Sequence, residues 1–544
     1  MKNILIAIRS IFKKGRHNVM KIVSLGIGLA VGLVLIAKVY FEQSYDDFYP
    51  DRDRVYQVWA KYQQNGGELK DYPQTSGGIA PTMQQQIPEI ETVTRYTSFG
   101  DWTFTMTDTK MKYSGRCIIA DSCFFDILPR PMLIGNAKEV LSTPMYVLIS
   151  SRIAKNIGGD VIGKNFTVDN SPGRTMTIGG VFEEVPENSH SRYDVIVSMA
   201  SAGRFMWEGS PTNMLGNDRY ISYVKLHKGV NPLALEEQVR TFVNSYFPPE
   251  EQQKVGLSID FSFHKLDNLH KELPQVKRMT WILSLLAFAL IFTAVMNYIL
   301  IVISSIVNRS KEVAVHKCYG ASENNIHGMM FGEALVHIVL SLILALLLIL
   351  AFRGTVEELL ATSLDSLLLS NGSLVLLGIC ILVFFVSGFM PGSLYARIPV
   401  ASAFRNYREN KRIWKKALLL VQFVATGFLV TMLVFVARQY TFMVNDRPGY
   451  AYENLAYCGL AGVDSTSRAK ILDEVMRLPG VAAATTVYQL PFEHASGNNI
   501  LLPGGTQELF NIADLYWVGN GYLDMMEIPV IQGRSFTELS LIHI

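Results

Sequence analysis

Apolar and charged positions along this chain are sorted into long separate runs. Thirty consecutive residues between Arg278 and Arg309 carry no charge, and thirty-one between Asp365 and Arg397 carry none. A bilayer is crossed by about 20 apolar residues, so such runs predict membrane helices. Five segments meet that length: 22–41, 279–306, 334–352, 373–396 and 417–437. Residues 42–278 and 438–544 alternate apolar and polar positions over short stretches, as in Arg54-Val-Tyr-Gln-Val-Trp59, with Pro, Gly and Asn turns between. That texture predicts strands, and α+β domains large enough to hold cores of their own.

Lys and Arg set the orientation. Residues 1–21, 307–328 and 397–416 together hold 16 of the 49 Lys and Arg but only 3 of the 47 Asp and Glu. Threading five spans puts all three stretches on one side, which the positive-inside rule makes cytoplasmic. The polar segments are then outside. The first span runs into Lys38-Val-Tyr-Phe-Glu42 with no small-x-small cleavage site, so it reads as a retained anchor. Ahead of it, Ile4, Leu5, Ile8, Ile11 and Phe12 recur at helical spacing among basic residues, predicting an amphipathic helix on the inner surface over 1–21.

An internal repeat is legible. Asp126, Pro131 and Gly135 match Asp524, Pro529 and Gly533 at one offset, Ala37 and Tyr40 match Ala437 and Tyr440, Ala7 and Arg9 match Ala403 and Arg405, and the Ile87-Pro turn matches Leu478-Pro. Surface helix, span and outer domain occur twice, in order. The last six residues, Leu539–Ile544, are what the end sequence of a transposase-based sequencing adapter encodes, which implies a natural chain continuing past Glu538.

Composition adds exclusions. Charged residues are 18% of the chain, net charge is +2 and mean hydropathy +0.22. That balance speaks against a nucleic-acid binder and against a purely soluble enzyme. Gly158-Gly-Asp-Val-Ile-Gly163-Lys164 satisfies all of a phosphate-binding loop except its last position, Asn165 where Ser or Thr should stand. It reads as a turn between strands. No metal-ligand spacing or nucleophile elbow appears, so neither a catalytic residue nor a bound metal or cofactor is expected. Cys117 and Cys123 are close enough in sequence to pair, but the odd number of outer cysteines suits free thiols equally.

Two features point to packing and coupling. Gly28 and Gly32 make a small-xxx-small face in the first span. Asn297, His337 and Gln422 need partners within a helical bundle, and Glu333 and His337 share one face at the start of the third span, where Glu333 can snorkel to the cytoplasmic surface. Between spans two and three, Arg309, Lys311, Glu312 and Lys317 alternate with Val313 and Val315. Gly320 is placed to end a short helix and Ser322 to start the next. A short helix at 309–326 offering a mixed surface to a partner is the prediction.

This stretch resembles the R-x-x-E-I-x-x-x-K-x-x-G-A-S signature of FtsX-like, MacB-type permeases of ABC transporters. Arg309, Glu312, Lys317, Gly320, Ala321 and Ser322 match it, Glu333 matches the acidic residue opening the next span, and Val313 stands where Ile is usual. Ala7-Ile-Arg9 and the segments Val161–Lys164 and Gly179–Ser189 are similar to the family's N-terminal helix and outer domain. The resemblance implies an α-helical membrane protein with α+β extracytoplasmic domains of the MacB periplasmic-core type. In it, 42–278 is the core domain, 279–400 the permease core, 401–416 a basic cytoplasmic linker and 438–544 a second, incomplete domain. It further implies a bacterial inner-membrane permease without chemistry of its own. A separate cytoplasmic ATPase dimer would bind ATP and grip the coupling residues, to export peptides (antimicrobial ones among them), lipids or drugs. The duplicated members of the family look like this chain with a second core added, so a second permease or a periplasmic protein is a further expected partner. The competing expectation is a regulator that transports nothing and acts mechanically on a wall hydrolase outside.

Overall fold

The computed structural model describes residues 17–64, 67–168, 171–216, 219–369, 372–396, 399–400, 413–445, 449–460, 463–490, 496–502 and 508–535. The predicted surface helix over 1–21 and the basic linker 401–416 fall mostly outside these residues, as does the segment 539–544. Two compact units are present: one holds most of the chain to Thr426, the other Gly427 onward.

In the first unit, four long apolar helices form a bundle: Asn18–Gln43, Pro274–Ser304, Glu323–Ala351 and Ser373–Ala396. The last coincides with the predicted fourth span. The first runs beyond its segment at both ends, and the second and third begin earlier than theirs and end one or two residues short, because helical hydrogen bonding extends into flanking polar turns. Their shared core includes Leu25, Leu29, Ala294, Tyr298, Ile299, Ile303, Ile338 and Tyr395.

Small residues let the helices approach. A Cβ on Gly28 would lie 2.2 Å from the Cβ of Ala294, and one on Gly32 would lie 2.4 Å from Ile291 Cγ1. The first and second helices therefore meet backbone to backbone along this seam. The same device joins the third and fourth helices, where a Cβ on Gly388 would strike Phe331 at 2.6 Å and one on Gly392 would strike His327 at 2.7 Å.

The large domain between the first two helices is built on one mixed sheet. Its strands are β1 (Val55–Gln64), β2 (Lys70–Tyr72), β3 (Ile90–Met106), β4 (Lys112–Ala120), β5 (Met132–Ile134), β6 (Tyr146–Ser150), β7 (Asn165–Val168), β8 (Ser171–Phe182), β9 (Val195–Ser198), β10 (Ile221–Leu226) and β11 (Leu257–Lys265). The order is β11-β1-β10-β3-β4-β9-β6-β8-β5, with β2 beside β1 and β7 beside β3 and β8. Most neighbours are antiparallel; β4 with β9 and β6 with β8 are parallel. Helices Ile79–Gln86 and Glu236–Tyr246 cover the β1–β10–β3 end, burying Met83, Val239 and Phe242 against Val58 and Val224.

A strand pair carries the chain between the bundle and the sheet. β1 leaves the first helix and β11 enters the second, and they lie antiparallel with Tyr56 opposite Lys265. Two helices sealed together in the bundle thus continue into two paired strands.

The segment 353–372 between the third and fourth helices folds into two short helices, Arg353–Leu360 and Leu364–Leu368. Leu367 packs on Ala37 and Phe41 of the first helix. Short amphipathic turns of this kind carry too few apolar residues to register as periodicity.

In the second unit, helix Ser465–Met476 is capped by Asp464, whose carboxylate accepts from the N–H groups of Thr466 and Ser467. Strands Ser496–Leu501 and Glu508–Leu515 form a hairpin, followed by a short helix Tyr522–Met525. Local geometry follows the repeat. Phe124–Ile127 and Tyr522–Met525 are both one-turn helices, and Gly135 and Gly533 after them both have positive φ, 85° and 91°. The Ile87-Pro and Leu478-Pro turns each close with a bond back to that apolar residue, Ile90 to Ile87 at 3.1 Å and Val481 to Leu478 at 3.2 Å.

Overpacking a tight seam costs about 1–3 kcal/mol. Gly28→Ala is expected to lower the unfolding temperature of the detergent-purified chain, and Ala294→Gly in the same chain to restore most of it. A calorimetric or fluorescence melt reads both.

Candidate functional site

The predicted coupling stretch is a helix, Ile306–Cys318, set off from the second bundle helix by a break at Ser305. Its end is a Schellman motif: Ala321 N–H donates to His316 O at 3.0 Å and Gly320 N–H to Lys317 O at 3.0 Å. Gly320 has φ of 85°, a conformation only glycine adopts freely. Ser322 Oγ then accepts from Asn325 N–H at 3.4 Å and starts the third helix.

The helix has two faces. Val313 and Ala314 are buried in the bundle core, and Ser310 is buried beside them. Lys311, Val315, His316 and Cys318 are exposed, Glu312 is half-buried, and Tyr319 is 89% exposed at the tip. The side chain of Arg309 lies outside the described residues. Lys317 turns inward: its ammonium donates to the carbonyl of Ala396, the last residue of the fourth bundle helix, at 2.6 Å. A cation there also complements the helix dipole. Tyr395 beside it bonds Val302 O at 3.1 Å and Ser305 Oγ at 3.2 Å, so the break in the second helix is tied to the end of the fourth.

Glu333 is not part of this surface. It sits inside the bundle, 6% exposed, 3.5 Å from the ammonium of Lys21, which is fully buried and also bonds Asn18 Oδ1 at 3.2 Å. The expected snorkelling of Glu333 is corrected by that burial. His337, one turn on, is buried and meets Tyr298 OH through Nδ1 at 3.1 Å. Lys21 belongs to the basic stretch 1–21, and nothing in a basic cluster distinguishes the one member that faces inward. Gly388 and Gly392 carry the same spacing as Gly28 and Gly32 and could have been found by it.

A second polar knot closes the other end of the bundle. Lys38 pairs with Glu42 at 2.7 Å and donates to Thr362 Oγ1 at 2.8 Å. Glu42 also meets His270 Nε2 at 2.6 Å, and the His270 ring stacks on Tyr45 with centroids 3.4 Å apart. Burial, with the Glu42 carboxylate nearby, pushes the Tyr45 hydroxyl up to about 12. Beyond it, Asp46 accepts from Ser189 Oγ at 3.1 Å and from the His190 backbone at 3.3 Å, and meets His190 Nδ1 at 2.7 Å. Glu187 accepts from Ser363 N–H at 3.0 Å. The first helix, the 353–368 helices and the loop before β9 are thereby joined.

The phosphate-loop look-alike lies between helix Ser151–Ile157 and β7. It runs from helix to strand, the reverse of a nucleotide site, and corrects the expected strand-to-strand turn. Lys164 reaches back to Gly158 O at 3.5 Å, closing its own loop. Cys117 and Cys123 are free thiols.

Two family models match the chain: the MacB-like periplasmic core domain over residues 20–242 and the FtsX-like permease C-terminal region over residues 284–400. Among solved structures, similarity is found to a domain of a Porphyromonas gingivalis protein described as a permease, at 33% identity, covering 40% of this chain and 91% of that one, with a TM-score of 0.37. The periplasmic region of MacB from Actinobacillus actinomycetemcomitans is 14% identical over 40% of this chain and 91% of that one, with a TM-score of 0.28. The extracellular domain of the noncanonic ABC-type transporter YknZ from Gram-positive bacteria is 11% identical over 38% and 98%, with a TM-score of 0.27. No curated protein matches.

Removing one member of a buried ion pair costs about 3–5 kcal/mol, whereas replacing both by apolar groups is often neutral. Glu333→Leu alone is expected to destabilise the bundle sharply, and adding Lys21→Met to recover most of the loss. Equal melting temperatures for the single variant and the parent would show the pair to be idle.

Proposed function

The chain belongs to the FtsX-like, MacB-type permeases, and we propose that within this family it is the membrane subunit of an ABC export system, worked by a separate cytoplasmic ATPase dimer. The observation that carries this reading is the helix Ile306–Cys318, buried on one face, exposed on the other, and bonded at its end to a different bundle helix.

The first helix begins, and the coupling helix lies, at the end of the bundle opposite the large domain. Basic flanking stretches make that end cytoplasmic, which leaves the large domain outside. The ATPase would contact Lys311, Glu312, His316 and Tyr319, and the family signature adds Arg309. Gly320, Ala321 and Ser322 hold the surface in place. Glu333, carried by the family signature, acts from within the bundle by fixing Lys21. ATP is bound by the partner, and this chain contributes no reacting group.

A push on the coupling helix passes through Lys317 to the fourth helix and through the Ser305 break to the second. The second helix carries the first along the glycine seam, and the two feed adjacent strands of the outer sheet. The large domain therefore tilts with the bundle. Cargo is most simply an amphiphile taken from the outer leaflet or the space outside, a peptide, lipid or drug.

Glu312→Lys and Gly320→Pro are each expected to abolish stimulation of the partner ATPase while leaving the amount of chain in the membrane unchanged. Vesicles holding the purified complex give the hydrolysis rate, and an immunoblot of membranes gives the amount. Full stimulation in both variants would contradict the coupling assignment.

A further inference from the structure

A cavity of about 350 Å³ opens where the bundle meets the large domain. Its wall carries two cations and two carboxylates, Lys38, Arg192, Glu42 and Glu187, against an apolar side of Phe41, Val276 and Met279. Lys38 and Glu42 neutralise each other at 2.7 Å. Arg192 is exposed and makes no hydrogen bond or ion pair to any described residue. Glu187 uses one oxygen on Ser363 N–H and keeps the other.

The first turn of the second helix also lines the cavity, through Gln275 and Val276. That helix has no side-chain N-cap and opens on Pro274, so the N–H groups of Gln275 and Val276 are its unfilled donors and carry the positive end of a 31-residue dipole. Volume at this scale sits at the lower end of small-molecule pockets, which run from about 300 to 1,000 Å³.

Depth in the membrane is fixed independently. Lys277 and Arg278 are exposed on the next turn, and Trp281 is 78% exposed one turn further in. Basic residues followed by an outward Trp mark the headgroup level of a membrane helix. Lys38 lies 17 residues past Lys21, about 26 Å along the first helix at 1.5 Å per residue, close to the thickness of the hydrocarbon layer. The cavity thus opens among lipid headgroups.

We infer that this cavity holds the headgroup of a zwitterionic phospholipid from the outer leaflet, its phosphate on Arg192 and the leading N–H groups of the second helix, its ammonium on Glu187. Acyl chains run along Val276 and Met279. An anionic lipid would satisfy Arg192 but leave Glu187 facing like charge. The site rests on the membrane reading and not on the coupling helix, so it stands or falls apart from ATPase stimulation.

Native mass spectrometry of the full chain, extracted from vesicles of equal phosphatidylethanolamine and phosphatidylglycerol, tests it. One phosphatidylethanolamine is expected to remain bound. Arg192→Ala should cut its occupancy at least tenfold, Arg192→Lys less, and Glu187→Gln should erase the preference over phosphatidylglycerol. Met279→Trp, which fills the cavity and leaves every charge in place, should also release the lipid. Equal occupancy in the parent, Arg192→Ala and Met279→Trp would overturn the site. Displacement of the lipid by millimolar inorganic phosphate would show a soluble-anion site in its place.

Discussion

The architecture depends on one helix being held at both membrane faces. Asn18–Gln43 carries a buried lysine near each end, Lys21 against Glu333 and Lys38 against Glu42 and Thr362. A charge cannot be left unpaired in a low-dielectric bundle, so Lys21 fixes the third helix beside the first and at what height, while Lys38, paired with Glu42 on its own helix, ties the other end to the turn at Thr362. Between these two points Gly28 and Gly32 remove the side chains that would hold the second helix away. The register and depth of the first helix and its spacing from the second follow from those few residues.

From that clamp the mechanical path needs no extra parts. The second helix breaks at Ser305, where Tyr395 of the fourth helix bonds it, and the segment after the break is tied to the same helix by Lys317. At the other end the first two helices continue into β1 and β11, which pair with each other. The polar knot of Glu42, His270, Asp46 and His190 ties the junction together with short bonds beside the cavity. A lever needs a handle, a rigid shaft and a load, and the coupling helix, the glycine-sealed bundle and the mixed sheet are arranged in that order.

Much of this was readable from the chain. Charge-free runs located the spans, because thirty residues without a charge are far more than a buried helix of a soluble domain needs. The capped break at Gly320 and Ser322 was readable because its local chemistry is stringent: a left-handed residue and an N-cap hydroxyl two positions apart. The repeat was readable at positions such as Gly135 and Gly533, where positive φ restricts the choice of residue. The inward turn of Lys21 and Lys317 was not readable, because helical phase within a basic stretch depends on neighbours far away in sequence. The junction helices at 353–368 escaped for a related reason. Leu367 shows its purpose only once Ala37 and Phe41 are beside it. The seam at Gly388 and Gly392 had the right spacing and was obscured by Pro391 between them.

Held this way, coupling helix, bundle and large domain of one chain move as a single body. Spin labels on Lys311 of the coupling helix and Ser114 on β4, introduced as noncanonical amino acids, measure it directly by pulsed dipolar spectroscopy in the reconstituted complex. One distance distribution is expected, unchanged between the nucleotide-free and ATP-trapped states. A shift of that distribution on ATP binding would mean that the coupling helix flexes independently of the domain it is held to drive.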